Sequence, residues 1–266
     1  MIELMPIASG SSGNCVYVGT DHTHLIIDAG ASGKKTSEGL NGIGLSMEDI
    51  DGILITHEHI DHVKGLGVLS RRYGKPIYAT QGTIDAILEM KSLGEIDKSL
   101  FHPIDQNEDF FIKDMTLSPI PISHDAACPV AYIAGSGQKK AGVITDLGTY
   151  DDKLKEKIKD LDLILLEANH DVRMLESGKY PYPLKMRILS DKGHLSNEAC
   201  GRLLSDILHD DIKGIFLGHL SHENNLPLLA EESVKAEIAI SDTPYQAGDF
   251  RIVAAARDHA SQKMTA

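Results

Sequence analysis

A chain of 266 residues with 42% hydrophobic and 24% charged residues is long enough for one large α/β domain with a substantial core. It contains no Trp, which argues against a broad aromatic binding platform, and its formal net charge of −13 argues against gripping nucleic acid through wide electrostatics. Bound divalent cations would offset that charge locally, so a nucleic-acid substrate is disfavoured without being excluded. Cys15, Cys128 and Cys200 are too few and too scattered for a disulfide framework or a Cys-x-x-Cys zinc site. Met1 to Ile7 has no basic segment and no long apolar stretch, so no signal peptide is expected. No run approaches the roughly 18 apolar residues of a membrane span. The expectation is a cytoplasmic protein with no membrane contact.

In chain order, Val16 to Val18 and Leu25 to Asp28 read as a hairpin across Gly19-Thr20-Asp21. Ile50 to Thr56 is a short buried strand, Gly65 to Tyr73 a helix, Pro76 to Ala79 a strand, Thr83 to Lys91 a helix, and Phe110 to Ile122 a β-rich stretch. Val130 to Ala134 and Gly142 to Thr145 are strands, Asp151 to Lys159 a charged helix, and Leu161 to Leu166 a buried strand. Ser196 caps a helix to Leu208 whose apolar stripe is Ala199, Leu203, Leu204, Ile207 and Leu208, and Gly214 to Leu217 is another strand. Two halves of strands followed by helices suggest two sheets covered by helices, with residues 1–266 as one domain.

The densest chemical signal is Thr56-His57-Glu58-His59-Ile60-Asp61-His62, directly after a buried strand. Imidazole and carboxylate without thiolate suit zinc, manganese or iron. Three further candidates stand in the same local context, each at the end of a short β run: His124, Asp146 and His219.

These residues resemble the metallo-β-lactamase-fold hydrolases over nearly the whole chain, through the His-x-His-x-Asp-His pattern at His57, His59, Asp61 and His62 and the later matches at His124, Asp146 and His219. The resemblance implies an α/β fold, an αβ/βα four-layer sandwich of two mixed β-sheets flanked by helices. It also implies two divalent transition metals (Zn, Mn or Fe), one on His57, His59 and His124, the other on Asp61, His62 and His219, with Asp146 between them.

Gly193-His194-Leu195-Ser196-Asn197-Glu198-Ala199 resembles an element of the tRNase Z branch of phosphodiesterases, departing from it at Leu195-Ser196. There the resemblance implies that His194 protonates the leaving oxygen, a step an alkoxide needs. The strings Ser9 to Asn14, Tyr182 to Ser190 and Gly218 to Asn225 are similar to the WalJ group (also called YycJ), which implies DNA exonuclease chemistry. On that reading a metal-activated hydroxide attacks phosphorus and Asp61 orients it or takes its remaining proton. Lys185 and Arg187 are candidates to hold substrate phosphates, Arg with the bidentate grip. Ser9 to Asn14 is either a phosphate-facing loop or a plain turn. His170 and His222 are lesser candidates for contacts to substrate or metal. The rivals are a thioesterase or lactonase of the glyoxalase II kind, which needs neither His194 nor a phosphate grip, and a non-catalytic interaction protein. Native metal, cleavage polarity, oligomeric state and pathway are not readable.

Overall fold

Short runs of Val, Ile and Leu in both halves of the chain form strands, and the computed structural model, which describes all 266 residues, assembles them into two seven-stranded sheets. The first sheet begins with β1 (Glu3–Ala8), β2 (Cys15–Gly19), β3 (His24–Ile27), β4 (Gly52–Leu54), β5 (Ile77–Thr80) and β6 (Phe101–Ile104). The second holds β7 (Phe110–Ile112), β8 (Met115–Pro121), β9 (Val130–Ser136), β10 (Lys139–Ile144), β11 (Leu163–Glu167), β12 (Gly214–Gly218) and β13 (Ile252–Ala254). The last strand, β14 (Met264–Thr265), returns to the first sheet beside β1. Strand order is β14-β1-β2-β3-β4-β5-β6 and β13-β12-β11-β10-β9-β8-β7, so each sheet is part antiparallel and part parallel.

Helices α1 (Gly33–Asn41), α2 (Ile60–Val63), α3 (Leu66–Tyr73) and α4 (Gln81–Glu89) fall within the first half. The second half holds α5 (Asp152–Ile158), α6 (Val172–Ser177), α7 (Tyr182–Ile188), α8 (Asn197–Ile207) and α9 (Pro227–Ile240). Three apolar layers follow from this order. Leu4, Val16, Leu25 and Leu54 of the first sheet pack against Leu117, Tyr132, Val143 and Phe216 of the second. On the outer faces, Ile26 and Ile53 meet Leu40, Leu69 and Ile84, while Ile164 and Leu217 meet Leu154, Leu204 and Val234. This is the αβ/βα sandwich expected from the sequence.

The elements read from the sequence appear within a few residues of their expected bounds, and Ser196 Oγ accepts from Ala199 N as the cap of α8. Several elements were not foreseen, among them β1 and the helices α1, α7 and α9. Pro6 hides β1, yet it lies beyond the β14 pairing and at a register shift opposite β2, where its missing N–H costs no ladder bond. Helix α9 buries only Ala230, Val234 and Ile238, too narrow a stripe to stand out among its other apolar residues.

What positions the site is a backbone seam between three loops. Asn14 N donates to Asp61 O, Gly30 N to Asn14 O, Ala29 N to His62 O and Gly65 N to Ala29 O, each at 2.7 Å. A Cβ at Gly30 would lie 1.7 Å from the Asp61 carbonyl oxygen. Gly30→Ala is therefore expected to cost at least about 2 kcal/mol, lowering Tm by roughly 4–8 °C in a chain of this size. Gly248→Ala, where nothing lies within 4 Å, should stay near wild type. Thermal unfolding of the two variants checks this, and equal Tm values would show that the seam yields.

Candidate metal centre

Each chemically important side chain sits just past, or at, the carboxyl end of a strand, where open α/β sheets build their sites. Asp28 follows β3, the His57–His62 segment follows β4 and includes α2, His124 follows β8, Asp146 follows β10, Glu167 ends β11, and His219 follows β12. Asp28, Asp146 and His219 hold φ of 62°, 60° and 53°, left-handed values that non-glycine residues adopt at a cost of about 1–3 kcal/mol. The turn this allows swings each side chain off its strand and into the gap between the sheets.

Four sets of donors converge there. His57, His59 and His124 form one, Asp61, His62 and His219 a second, His57, His62 and Asp146 a third, and Asp146, Glu167, His194 and His219 a fourth, the donor atoms of each lying within 4.8 Å of one another. Asp146 lies between the first two sets: Oδ2 is 3.2 Å from His62 Nε2, and Oδ1 is 3.6 Å from His124 Nε2 and 3.1 Å from His219 Nδ1. His57 Nε2 and Asp146 Oδ2 are buried with no hydrogen-bond partner. Orphaned atoms of this kind are costly unless a cation or water meets them, so the donor set fits divalent metal.

The outward nitrogens of the imidazoles settle which lone pairs face inward. His62 Nδ1 donates to Asp28 Oδ2 at 2.7 Å, and His124 Nδ1 to the Gly193 carbonyl at 3.1 Å. Thr56 Oγ1 gives its one proton to Asp28, 2.9–3.0 Å away, so toward His57 Nδ1 at 3.0 Å it can only accept. In their neutral forms all three rings then present an unprotonated Nε2 to the cluster, which is how metal-binding histidines are usually fixed.

Burial opposes charge throughout, and the neighbours decide the outcome. Burial, reinforced by the other imidazoles, holds His57 well below the ordinary histidine range, and burial also lowers His124. For His62 and His219 burial is outweighed by carboxylates, Asp146 foremost, and both are raised well above it. Against the same burial, His219 and His62 hold Asp146 well below the carboxylate range, and His194 brings Glu167 down to about 2. Without metal, protons on His62 and His219 supply the positive charge that this cluster demands.

A cavity of about 360 Å³ opens onto the cluster beside His59, Asp61, Asp146, His194 and His219. His194 Nδ1 lies 2.8 Å from Glu167 Oε1, and an ionised carboxylate only accepts, so Nδ1 carries a proton and Nε2 is left for other partners. Arg187 lines the cavity, its Nε and Nη2 on Asp125 at 2.5 and 3.0 Å. Lys185 does not reach it, because Nζ donates to the carbonyls of Glu176 and Gly178 at 2.7 Å. His170 is buried against Asn169, and burial lowers it to about 4; exposed His222 pairs with Glu223. Neither belongs to the donor sets.

Asp28, Thr56 and Glu167 were not among the residues that sequence reasoning assigned to the site. Their one signal is a polar residue ending an otherwise apolar strand. The Ser9–Asn14 loop is a brace: Ser9 Oγ accepts from His219 N at 2.9 Å, and Asn14 Nδ2 lies 3.0 Å from His62 Nε2, while Ser11 faces the cavity.

An αβ/βα sandwich with imidazoles and carboxylates gathered at its strand ends is a β-lactamase superfamily arrangement, and residues 23–212 match the family described as the beta-lactamase superfamily domain. The chain is 42% identical to exodeoxyribonuclease YycJ of Bacillus anthracis over 228 residues, covering 86% of each protein. It is likewise 42% identical to exodeoxyribonuclease WalJ of Streptococcus pneumoniae over 236 residues, 89% of this chain and 88% of that protein. The chain belongs to the YycJ/WalJ family within the β-lactamase superfamily. Among solved structures, the metallo-β-lactamase-fold protein YhfI of Bacillus subtilis shares the fold with a TM-score of 0.71, at 15% identity over 98% of both chains.

Two outcomes follow. Asp28→Asn should weaken metal binding by roughly 10–100-fold, the usual effect of removing a carboxylate behind a metal-binding imidazole; competition with a chelating dye measures it, and unchanged affinity would make Asp28 purely architectural. The raised values of His62 and His219 mean that their contribution to stability is full below about pH 6.5 and is lost as pH rises through the folded values. Chelated protein should therefore melt at lower temperature at pH 9 than at pH 6.5, and metal should abolish the difference. A Tm of the chelated protein that stays level or rises over that range would contradict the assignment.

Proposed function

We propose that this chain is a metal-dependent phosphodiesterase that degrades DNA from an end. The observation that carries the reading is the His194–Glu167 pair, which adjoins Asp146 and His219 of the donor cluster with one imidazole nitrogen bonded and the other available. A phosphodiester leaves as an alkoxide and needs a proton donor, whereas a thiolate does not. The pair thus favours a phosphodiesterase over a thioesterase or lactonase of the glyoxalase II kind. Membership of a family whose curated relatives are named exodeoxyribonucleases supports DNA as the substrate.

In this mechanism His57, His59 and His124 would hold one metal and Asp61, His62 and His219 a second, with Asp146 within reach of both sets. Two divalent ions so placed supply Lewis acidity, neutralising phosphate charge and making water nucleophilic near neutral pH. The protein's own groups do the rest. Asp61, against burial, is kept ionised chiefly by His62 and orients the attacking water by accepting its hydrogen. Arg187, clamped to Asp125 through Nε and Nη2, keeps Nη1 for a phosphate oxygen. Glu167 stays ionised and accepts from His194 Nδ1, so Nε2 is the nitrogen placed to deliver a proton to the leaving oxygen.

This separates the acid from the ligands. His194→Ala should retain near-normal metal content yet slow DNA cleavage by roughly 10²–10⁴-fold. The loss should shrink greatly for bis(p-nitrophenyl) phosphate, whose leaving group departs without a proton. His59→Ala should lose metal and slow both substrates alike. Equal damage to both substrates in metal-replete His194→Ala would count against the acid role. Thioester turnover without diester turnover in the wild-type protein would overturn the reading.

A further inference from the structure

The donor cluster accounts for the floor of the cavity but not for its wall. Besides the carboxylates and imidazoles, the cavity is lined by Ile60, Tyr180, Leu184 and Ile188, four apolar side chains facing the space that His194 and Arg187 also face. Leu184 and Ile188 project from α7 on the same face as Arg187, at the i, i+3, i+4 spacing that aligns side chains along a helix. None of the residues of α7 is buried, so its apolar side chains are not spent on the core. Tyr180 precedes the helix, half-buried at the same rim.

A site that handled only phosphate would want polar walls all round. An aromatic ring flanked by two aliphatic chains, next to an arginine and a proton donor, fits what hangs from a phosphodiester: the sugar and its base. At about 360 Å³ the cavity lies at the small end of sites for small molecules, with room for one nucleotide rather than several. The polar side chains of Asn169 and Ser221 are committed. Asn169 Nδ2 donates to His219 O and its Oδ1 accepts from His170 Nδ1, while Ser221 Oγ accepts from Asn224 N. The hydroxyls of Ser11 and Tyr180 also line the cavity, but a hydroxyl both donates and accepts and so does not tell one base edge from another, whereas a ring face accepts any base.

We propose that Tyr180, with Leu184 and Ile188, forms a base-stacking slot that holds the terminal nucleobase of the substrate without regard to its identity. Tyr180 is thus a specificity-determining residue: it makes a nucleotide at a strand end the preferred ligand. The inference rests on the phosphodiesterase reading, and its test is arranged to fail separately from it.

The experiment measures binding of thymidine 5′-monophosphate and of deoxyribose 5-phosphate, which lacks the base, to manganese-loaded wild type, Tyr180→Ala and Tyr180→Phe. Metal content and thermal unfolding report that each variant keeps its site. Wild type should bind the nucleotide roughly 5- to 100-fold more tightly than the sugar phosphate, the range for one base on one aromatic ring. Tyr180→Phe should keep that ratio and Tyr180→Ala should bring it near one. In parallel, kcat/KM for single-stranded DNA with a normal or an abasic terminal residue should show the same ratio in wild type and lose it in Tyr180→Ala, with the change in KM. Should wild type cleave DNA but bind both phosphates equally, or Tyr180→Ala keep the preference, the slot is overturned and the nuclease reading stands. Should wild type show the base preference in binding but cleave no DNA, the slot stands and the nuclease reading falls.

Discussion

The structure depends on a demand for positive charge in the seam between its two sheets. Asp28, Asp61, Asp146 and Glu167 approach one another around six imidazoles, most of these groups out of contact with water. Burying carboxylates without compensation is prohibitive. The surrounding rings compensate in two distinct ways. His57, His62 and His124 are tied outward, through Thr56, Asp28 and a carbonyl, so that their inner nitrogens are lone pairs. His62 and His219 are nevertheless pulled toward the protonated state by the carboxylates around them. A cluster built of inward lone pairs, yet electrostatically short of cations, is an arrangement that a divalent ion satisfies and an apolar core would not.

That demand explains where strain is tolerated. Asp28, Asp146 and His219 each leave their strand through a left-handed residue, where glycine would be unstrained but would carry no donor. Each such turn is stabilised by what the side chain then meets: Asp28 takes Thr56 N and Oγ1, and His219 N finds Ser9 Oγ. The loop seam at Asn14, Gly30 and Asp61 fixes the remaining freedom by backbone hydrogen bonds rather than side-chain packing. Stability is given up at single residues and recovered from the rigid sheets on either side, the expected distribution for a preorganised site.

Much of the architecture was legible because the strands are short, apolar and cleanly bounded, and because α8 shows an apolar stripe behind a serine cap. The seven candidate ligands that converge were legible for a related reason: four stand in one motif, and the other three each follow an apolar run. What escaped was whatever depends on a turn or a helix face. Nothing in the string around Asp28 announces φ of 62° or the bond to His62, since an aspartate ending a strand is ordinary. Lys185 and Arg187 look equivalent until residues Tyr182–Ile188 are known to be helical. Two positions apart on a helix is about 200°, nearly opposite faces, so Arg187 reaches the cavity with Leu184 and Ile188 while Lys185 caps carbonyls of the preceding segment.

The net charge of −13 then acquires a different meaning. A protein that tracked along DNA would need a basic groove neutralising many phosphates, and its affinity would fall steeply with salt. On the proposed reading this chain needs no such groove. One phosphate meets the metals and Arg187, one base meets Tyr180, and the rest of the strand remains outside. The acidic surface then works against any mode of binding that lays a duplex flat across the protein, because each additional phosphate meets repulsion rather than a lysine. Capture of an end escapes that penalty, since it brings few phosphates close and places the reacting one where bound cations outweigh the surrounding carboxylates. The same charge that disfavoured a nucleic-acid substrate at the level of composition thus favours, at the level of the site, a nuclease that takes its substrate from an end.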